Sequence, residues 1–500
     1  MARVAVLLFA ALQIAPPVAA AGPAARIRAF LDASPVARTA FWGVQIVDLD
    51  QHRVLFDLNP NRLFLPASNA KLFSTALALM RLGPDYRFQT RVLADQAPDP
   101  AGCVPSLRLV GGGDPNLSGR EIPFRQGPAP AADPLQAMED LASQVVARGV
   151  RCVDGDIVGD DTAYVWEPYP DGWSMDDGVW DYGAAVSALS INDNTLAVSV
   201  LPGEHADDAA RILLTPPLDY YEIDNRVRTV RGVARKIVAD RLPGSRQLRI
   251  WGALPPNDSG EIETLGIDDP ALYAAYALRD ALSRRGIAVR GEARARHLFP
   301  NQVADLEKGP APEPGPGVEL ARRESAPLVE DLRNTAKVSQ NLHAEMALRA
   351  VARARRRIGS REAGLAEMRI FLEEAGFAHT SYTFADGSGL SRLDLVSPAA
   401  VTGLLAYVYR SAVRDQWLSL LPVSGQDGTL HARFTGSRAA GRIRAKTGSL
   451  SHVGTLSGYA RRGDARTGEM LAFSILVNNY NGPAADLTAA IDRICELMVE

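Results

Sequence analysis

Ser68 and Lys71 stand three residues apart in the stretch FLPASNAKLFSTALAL (Phe64–Leu79). At a helix start that spacing puts both side chains on one face. A serine hydroxyl is a weak nucleophile until a neighbouring base takes its proton. A lysine can be that base if burial and nearby positive charge lower its pKa toward working pH. Backbone N–H groups at the helix start can hold the oxyanion that forms. The choice of lysine is itself informative. Of 54 basic residues only Lys71, Lys236, Lys308, Lys337 and Lys446 are lysine; the rest are arginine, which cannot give up its proton.

A lone Ser-x-x-Lys is ordinary, because serine caps helices and lysine covers their exposed faces. Two further stretches make this one unusual. Ser339-Gln340-Asn341 follows Lys337 in a segment flanked by helical patterns, and Lys446-Thr447-Gly448 lies in a strand-like run near the C-terminus. Ser-x-x-Lys, Ser-x-Asn and Lys-Thr-Gly together, in this order, are a known signature of acyl-transferring serine enzymes. Other chemistries lack their marks. There is no Gly-x-Ser-x-Gly elbow, and the seven histidines are scattered without metal-ligand spacing, so neither metal nor cofactor is expected. The Gly-rich GGGDPNLSG lacks the lysine of a phosphate loop.

The elements that would carry these residues can be read in outline. Residues 42–58 alternate around Asp50-Gln51-His52 as a β-hairpin. A helix is expected from about Ser68 to Leu82, stopped by Gly83-Pro84. From about 86 to 320 short strand-like runs alternate with turn signals, with one clear helix in DPLQAMEDLASQVVARG. KGPAPEPGPG (308–317) reads as an exposed linker. Helical patterns follow in LVEDLRNTAKVSQNLHAEMALRAVAR and REAGLAEMRIFLEEAG, then strand-like runs and a last helix containing Cys495, which reads as core.

Composition narrows the class. The 500 residues are 47% hydrophobic and 22% charged, as in an ordinary globular chain of several domains. A net charge of −4 gives no support to nucleic-acid binding, and RARRR (353–357) reads as a solvated helix face. MAR, a twelve-residue apolar run and PPVAAAG make residues 1–21 an expected signal peptide, too short to span a membrane. No later stretch reads as a transmembrane segment, so the mature chain is expected to be exported. Cys103 and Cys152 each precede a strand-like run; in an oxidising compartment they either pair or remain two separate buried thiols.

The three motifs, with GDIVGDDTAY, YGAAVSALSINDNT and DGSGLSRLDLVSP, give a chain that resembles the low-molecular-mass class C penicillin-binding proteins, the D-alanyl-D-alanine carboxypeptidase/endopeptidase family. The resemblance covers nearly the whole mature chain, including the long insertion between the first two motifs. It implies an α/β (α+β) fold: a serine β-lactamase-like catalytic domain from residues 22–85 and 320–500, with residues 86–319 forming two smaller β-rich domains. It implies a periplasmic enzyme acting on peptidoglycan stem peptides and acylated by β-lactam antibiotics. By resemblance, Ser68 attacks the carbonyl between two D-alanines and Lys71 takes its proton. Ser339 and Lys446 relay a proton to the leaving amine, through one or both groups. Asn341 holds the donor peptide's amide; the Thr447 hydroxyl and Lys446 bind the terminal carboxylate, and Gly448 is also substrate-binding. The backbone N–H groups of Ser68 and Ser449 form the oxyanion hole. Within GWSMDDGVWDYG and DGSGLSR, Asp177, Tyr182 and Arg392 match residues that read the diaminopimelate side chain, with Asp176 one position away as the alternative. The middle residue Gln340 differs from the common Asp or Asn. A fast penicillin hydrolase and a non-catalytic peptidoglycan-binding protein are the rival readings.

Overall fold

The computed structural model describes residues 22–127, 133–309, 315–464 and 467–500. The expected signal peptide and residues 310–314 of the expected linker lie outside the described residues. Among those described, no helix is long and apolar enough to cross a membrane.

Both ends of the chain build one antiparallel five-stranded sheet. Its order is Ile443–Leu450, Val453–Arg462, Glu469–Asn478, Phe41–Asp48, Arg53–Leu58. The N-terminal hairpin thus adds to a C-terminal meander, with Phe41 opposite Asn478 and Asp48 opposite Leu471. Strand Glu469–Asn478 is buried almost throughout because helices cover both faces of the sheet. On one side Ala472 and Leu476 join a core with Leu72, Phe73 and Leu77 of helix Ala70–Leu82 and Leu404 and Leu405 of helix Pro398–Tyr409. On the other, Leu471, Phe473 and Ile475 meet Leu487, Ile491 and Ile494 of the last helix, Ala484–Val499, where Cys495 is a buried free thiol. The alternation follows from successive side chains pointing to opposite faces.

Between the hairpin helix and the second motif the chain builds a separate mixed sheet. Its order is Ala293–Leu298, Ile157–Val165, Leu107–Val110, Gln89–Ala94, Val318–Glu324. The last strand keeps the chain with this sheet as far as Glu324. Smaller sheets surround it, and their apolar side chains form one contiguous core. Cys103 and Cys152 face each other across paired parallel strands and form a disulfide. The region holds a second long helix, Pro270–Arg284, where the sequence reading found only Gln136–Ala147. Its start was legible: Asp269 accepts from Leu272 N and Pro270 occupies the first turn.

The long helical pattern after residue 328 is broken. Helix Leu328–Lys337 ends, and helix Asn341–Arg356 begins after a turn in which Ser339 takes φ 65°. The second motif sits at that break.

Candidate active site

Ser68 lies in a single 3-10 turn, Ala67–Asn69, that feeds helix Ala70–Leu82. Ala67 before it has φ 47°, a left-handed conformation that costs a non-glycine residue energy and is held only by what surrounds it. The holders are identifiable. Asn69 Nδ2 donates to Thr455 Oγ1 at 2.7 Å and to the Lys446 carbonyl at 3.2 Å; Thr455 Oγ1 donates to the Pro66 carbonyl at 3.0 Å. A Cβ on Gly448 would lie 2.9 Å from Ser68 N, so only glycine lets the strand pass this close to the serine. Gly389, at φ +82°, closes the other side: a Cβ there would come 1.8 Å from the Ala67 carbonyl oxygen.

Lys71 is 1% exposed. Its Nζ lies 2.9 Å from Ser68 Oγ, 2.5 Å from Asn341 Oδ1 and 2.7 Å from the Ser388 carbonyl oxygen. Two of these neighbours can only accept. They fix two N–H bonds of a neutral amine and leave its lone pair facing the serine hydroxyl. Burial lowers the Lys71 pKa to about 8, against the opposing charges of Asp386, Glu345 and Asp394. A lysine that is part free base at neutral pH, aimed at a serine, is equipped for general-base work.

Lys446 is equally buried and donates to Ser339 Oγ at 2.8 Å and to its neighbour's carbonyl, Thr447 O, at 2.8 Å. Burial first, then the charge of Lys71, hold its pKa well below the ordinary lysine range. Thr447 Oγ1 donates to Thr429 Oγ1 at 2.9 Å. Lys337 stands behind this loop: its Nζ holds Asp427 Oδ2 at 2.6 Å and the Leu421 carbonyl at 2.7 Å. Ser449 is exposed on the same strand.

The three motifs therefore meet: Ser68, Lys71 and Asn341 form one hydrogen-bonded group, and Ser339 with Lys446 a second. Gln340 faces away from both; its Oε1 caps its own helix at Leu342 N and its Nε2 donates to Asp193 Oδ2. Asn341 Oδ1 is taken by Lys71, and its Nδ2 donates to the Tyr182 carbonyl at 2.8 Å, leaving one amide hydrogen for a ligand.

That last contact brings the inserted region to the site. Tyr182 is 44% exposed, and its hydroxyl pKa is pushed up to about 12, first by burial and then by the charge of Asp177. Asp177 Oδ2 also accepts from Ser174 N, closing its own turn. Arg392 is exposed; its backbone N–H donates to Gly172 O at 3.0 Å and its Nη1 to Ser451 O at 3.4 Å. Asp177 and Tyr182 are thus electrostatic neighbours, while Arg392 joins their segment through Gly172. Asp176 is exposed and makes no side-chain hydrogen bond among the described residues.

Sequence reasoning missed Asn69, Thr429, Ser388 and the buried acids Glu345, Asp386 and Asp394. Asn69 had a signal in its place between the motif's serine and lysine; the others act through tertiary contacts that no spacing announces.

With this geometry in place, comparison with known proteins is direct. Residues 24–497 match the model of the D-Ala-D-Ala carboxypeptidase 3 (S13) family. The chain is 35% identical over 463 residues to a D-alanyl-D-alanine carboxypeptidase of an Actinomadura species, covering 90% of this chain and 80% of that one. It is 23% identical over 458 residues to a D-alanyl-D-alanine carboxypeptidase of Haemophilus influenzae, covering 87% and 84%. The crystal structure of penicillin binding protein 4 from H. influenzae has the same fold, with a TM-score of 0.80 at 22% identity over 95% of this chain and 99% of that one. That protein has also been solved in complex with a β-lactam, and against that structure the TM-score is 0.75.

Proposed function

The chain belongs to the D-Ala-D-Ala carboxypeptidase 3 (S13) family of serine peptidases, and from that premise we propose that Ser68 carries an acyl-enzyme formed from peptidoglycan stem peptides. The observation that carries this reading is the Lys71 amine, buried, lowered in pKa to about 8, and 2.9 Å from Ser68 Oγ.

In the first half-reaction Lys71 removes the Ser68 proton as Oγ attacks the carbonyl carbon of the penultimate D-alanine. The carbonyl electron pair moves to oxygen, which the N–H groups of Ser68 and Ser449 stabilise. On collapse the C–N bond breaks, and the amine of the terminal D-alanine leaves with a proton delivered through Ser339 and Lys446. Lys446 and Thr447 hold the terminal carboxylate, beside Gly448. Asn341 offers its remaining amide hydrogen to the donor peptide. In the second half-reaction water attacks the ester carbonyl, the bond from that carbon to Ser68 Oγ breaks, and the proton the water gives up ends on Oγ. The same sequence applied to a cross-link between stem peptides is endopeptidase cleavage. β-Lactams acylate Ser68 and leave slowly. Asp177, Tyr182 and Arg392 read the diaminopimelate end, which carries one ammonium and one carboxylate and so needs one group of each sign. The enzyme works in the periplasm after export. Its catalytic residues come from 22–85 and 320–500, around an insertion of two β-rich units.

Labelling with fluorescent penicillin tests the reading. A stable covalent label on the natural chain and none on a folded Ser68→Ala variant are expected. Label that survives in Ser68→Ala sinks the assignment. Rapid loss of label would instead indicate a penicillin hydrolase, and no label a non-catalytic binding protein.

A further inference from the structure

Beneath Lys71 lies a group of acids that none of the three motifs contains. Glu345, Asp386 and Asp394 are fully buried. Glu345 comes from helix Asn341–Arg356 and is matched by Arg349, whose Nη1 donates to Oε2 at 2.9 Å. Asp394 has its pKa raised well above the ordinary carboxylate range by burial and by the charge of Asp386. Asp386 is different. Among the described residues no arginine or lysine hydrogen-bonds it, yet its pKa is lowered and it stays ionised. Burial opposes its charge, but Asp394 and the N–H groups of Gly389, Trp173 and Ser391 outweigh that and hold its pKa below the usual value.

The donors on Asp386 define a loop. Its Oδ1 accepts from Ser388 N at 3.0 Å and Gly389 N at 2.6 Å; its Oδ2 accepts from Ser391 N at 2.9 Å and Ser388 Oγ at 2.8 Å. This wrapping aims the Ser388 carbonyl at Lys71 Nζ and sets Gly389 against Ala67. The remaining donor comes from the inserted region: Trp173 Nε1–H reaches Oδ2 at 2.8 Å. Its neighbours secure the same loop, since Ser391 Oγ donates to Asp171 O and Arg392 N to Gly172 O. One carboxylate therefore touches the support of the base, the support of the nucleophile turn, and the segment that leads to Asp177 and Tyr182.

We propose that Asp386 is the counter-charge that sets the charge state of Lys71, and that Trp173 is a positioning residue through which the inserted segment holds that charge and its loop in place. The inference rests on the reading of Lys71 as the base. The charged and titratable groups facing Lys71 are Asp386 and Asp394 from this loop, Glu345 from the helix behind it and Lys446 from the strand opposite. Removing the Asp386 anion favours the free amine over the ammonium. The acylation rate should then reach its plateau at lower pH.

The test is the second-order rate of penicillin acylation from pH 5 to 10, on the full chain and two variants. Asp386→Asn should move the ascending limb down by about one pH unit, whatever happens to the plateau. Trp173→Phe keeps the ring and the Asp386 charge but loses the N–H; its plateau should fall about tenfold, with the limb in place. A purely structural role for Asp386 would lower the plateau without moving the limb, and that result overturns the proposal. So does a Trp173→Phe profile that superimposes on the natural one, which decides the matter even if Asp386→Asn does not fold. A natural chain with no ascending limb, together with an active Lys71→Arg variant, overturns the base reading and this inference with it. A limb that is present but unmoved in Asp386→Asn overturns the inference alone.

Discussion

Lys71→Arg separates a proton acceptor from a mere positive charge. The natural amine has a pKa of about 8, so at pH 7 roughly one molecule in ten carries the free base. An arginine at the same place is essentially never neutral, with fewer than about one guanidinium in 10⁵ deprotonated. The cation is retained; proton uptake is not. Loss of a general base costs at least ~10²-fold, about 2.7 kcal/mol in the barrier. The assay is the rate of covalent labelling by fluorescent penicillin, with a thermal melt to show that the variant is folded. The natural chain supplies an internal check, since its rate should climb about tenfold per pH unit below pH 8 and level off above it. A folded Lys71→Arg variant that keeps more than about a tenth of the natural rate would refute the reasoning. So would a natural rate that is flat between pH 6 and 9, because among the described residues the acceptors around Nζ besides Ser68 are the amide oxygen of Asn341 and the Ser388 carbonyl.

Three further outcomes are expected. Asp177→Ala should lower kcat/KM about 10- to 150-fold for peptides with a free diaminopimelate end, the worth of a charge-assisted hydrogen bond of ~1.5–3 kcal/mol, and leave penicillin acylation nearly unchanged; equal losses on peptides with and without that end would assign Asp177 to its own turn. Gly389→Ala should abolish acylation in a chain that melts earlier, because its Cβ would meet the Ala67 carbonyl at 1.8 Å in a left-handed conformation; a variant with natural kinetics would mean the turn before Ser68 is not held there. His343, buried between Asp331 and Asp193, has a pKa of about 9: burial alone lowers it, but the two carboxylates raise it further. Its stabilising effect is full below the unfolded value of about 6.5 and is lost as pH rises through about 9, so the melting-temperature gap between the natural chain and His343→Gln should narrow from pH 6 to pH 10. A gap that stays constant would show that His343 is not charged in the fold.

The chemistry was legible in the sequence because it rests on residues whose type is costly to replace. A lysine among arginines and a serine three residues before it already suggest proton transfer. The hairpin and the helix after it follow from alternation and a Gly-Pro stop. The segment of Ser339 was legible as flanked by helical patterns, but its left-handed turn was not: only the packed site holds Ser339 at φ 65°. Helix Pro270–Arg284 was missed although its Asp-Pro start is a strong local signal, because strand-like runs on either side set the expectation for the region. The acids under Lys71 could not be read at all. Glu345 and Asp386 are far apart in the chain and meet only when the helix and the loop pack, with Glu345 Oε1 accepting from Gly387 N at 2.7 Å.

The sheet that carries the site pairs strand Phe41–Asp48 with strand Glu469–Asn478, and this fixes when the site can form. Leu65 N, just ahead of the serine turn, donates to Asn478 Oδ1, a partner 413 residues away. Asn478 Nδ2 returns a hydrogen bond to Leu65 O. A growing polypeptide emerges N-terminus first, so Ser68 and Lys71 are made early but wait for the final strand before their turn is clamped. Such distant pairing closes slowly. Until strand Glu469–Asn478 has been made the nucleophile has no frame, and any chain truncated before Glu469 lacks the strand on which the first hairpin docks.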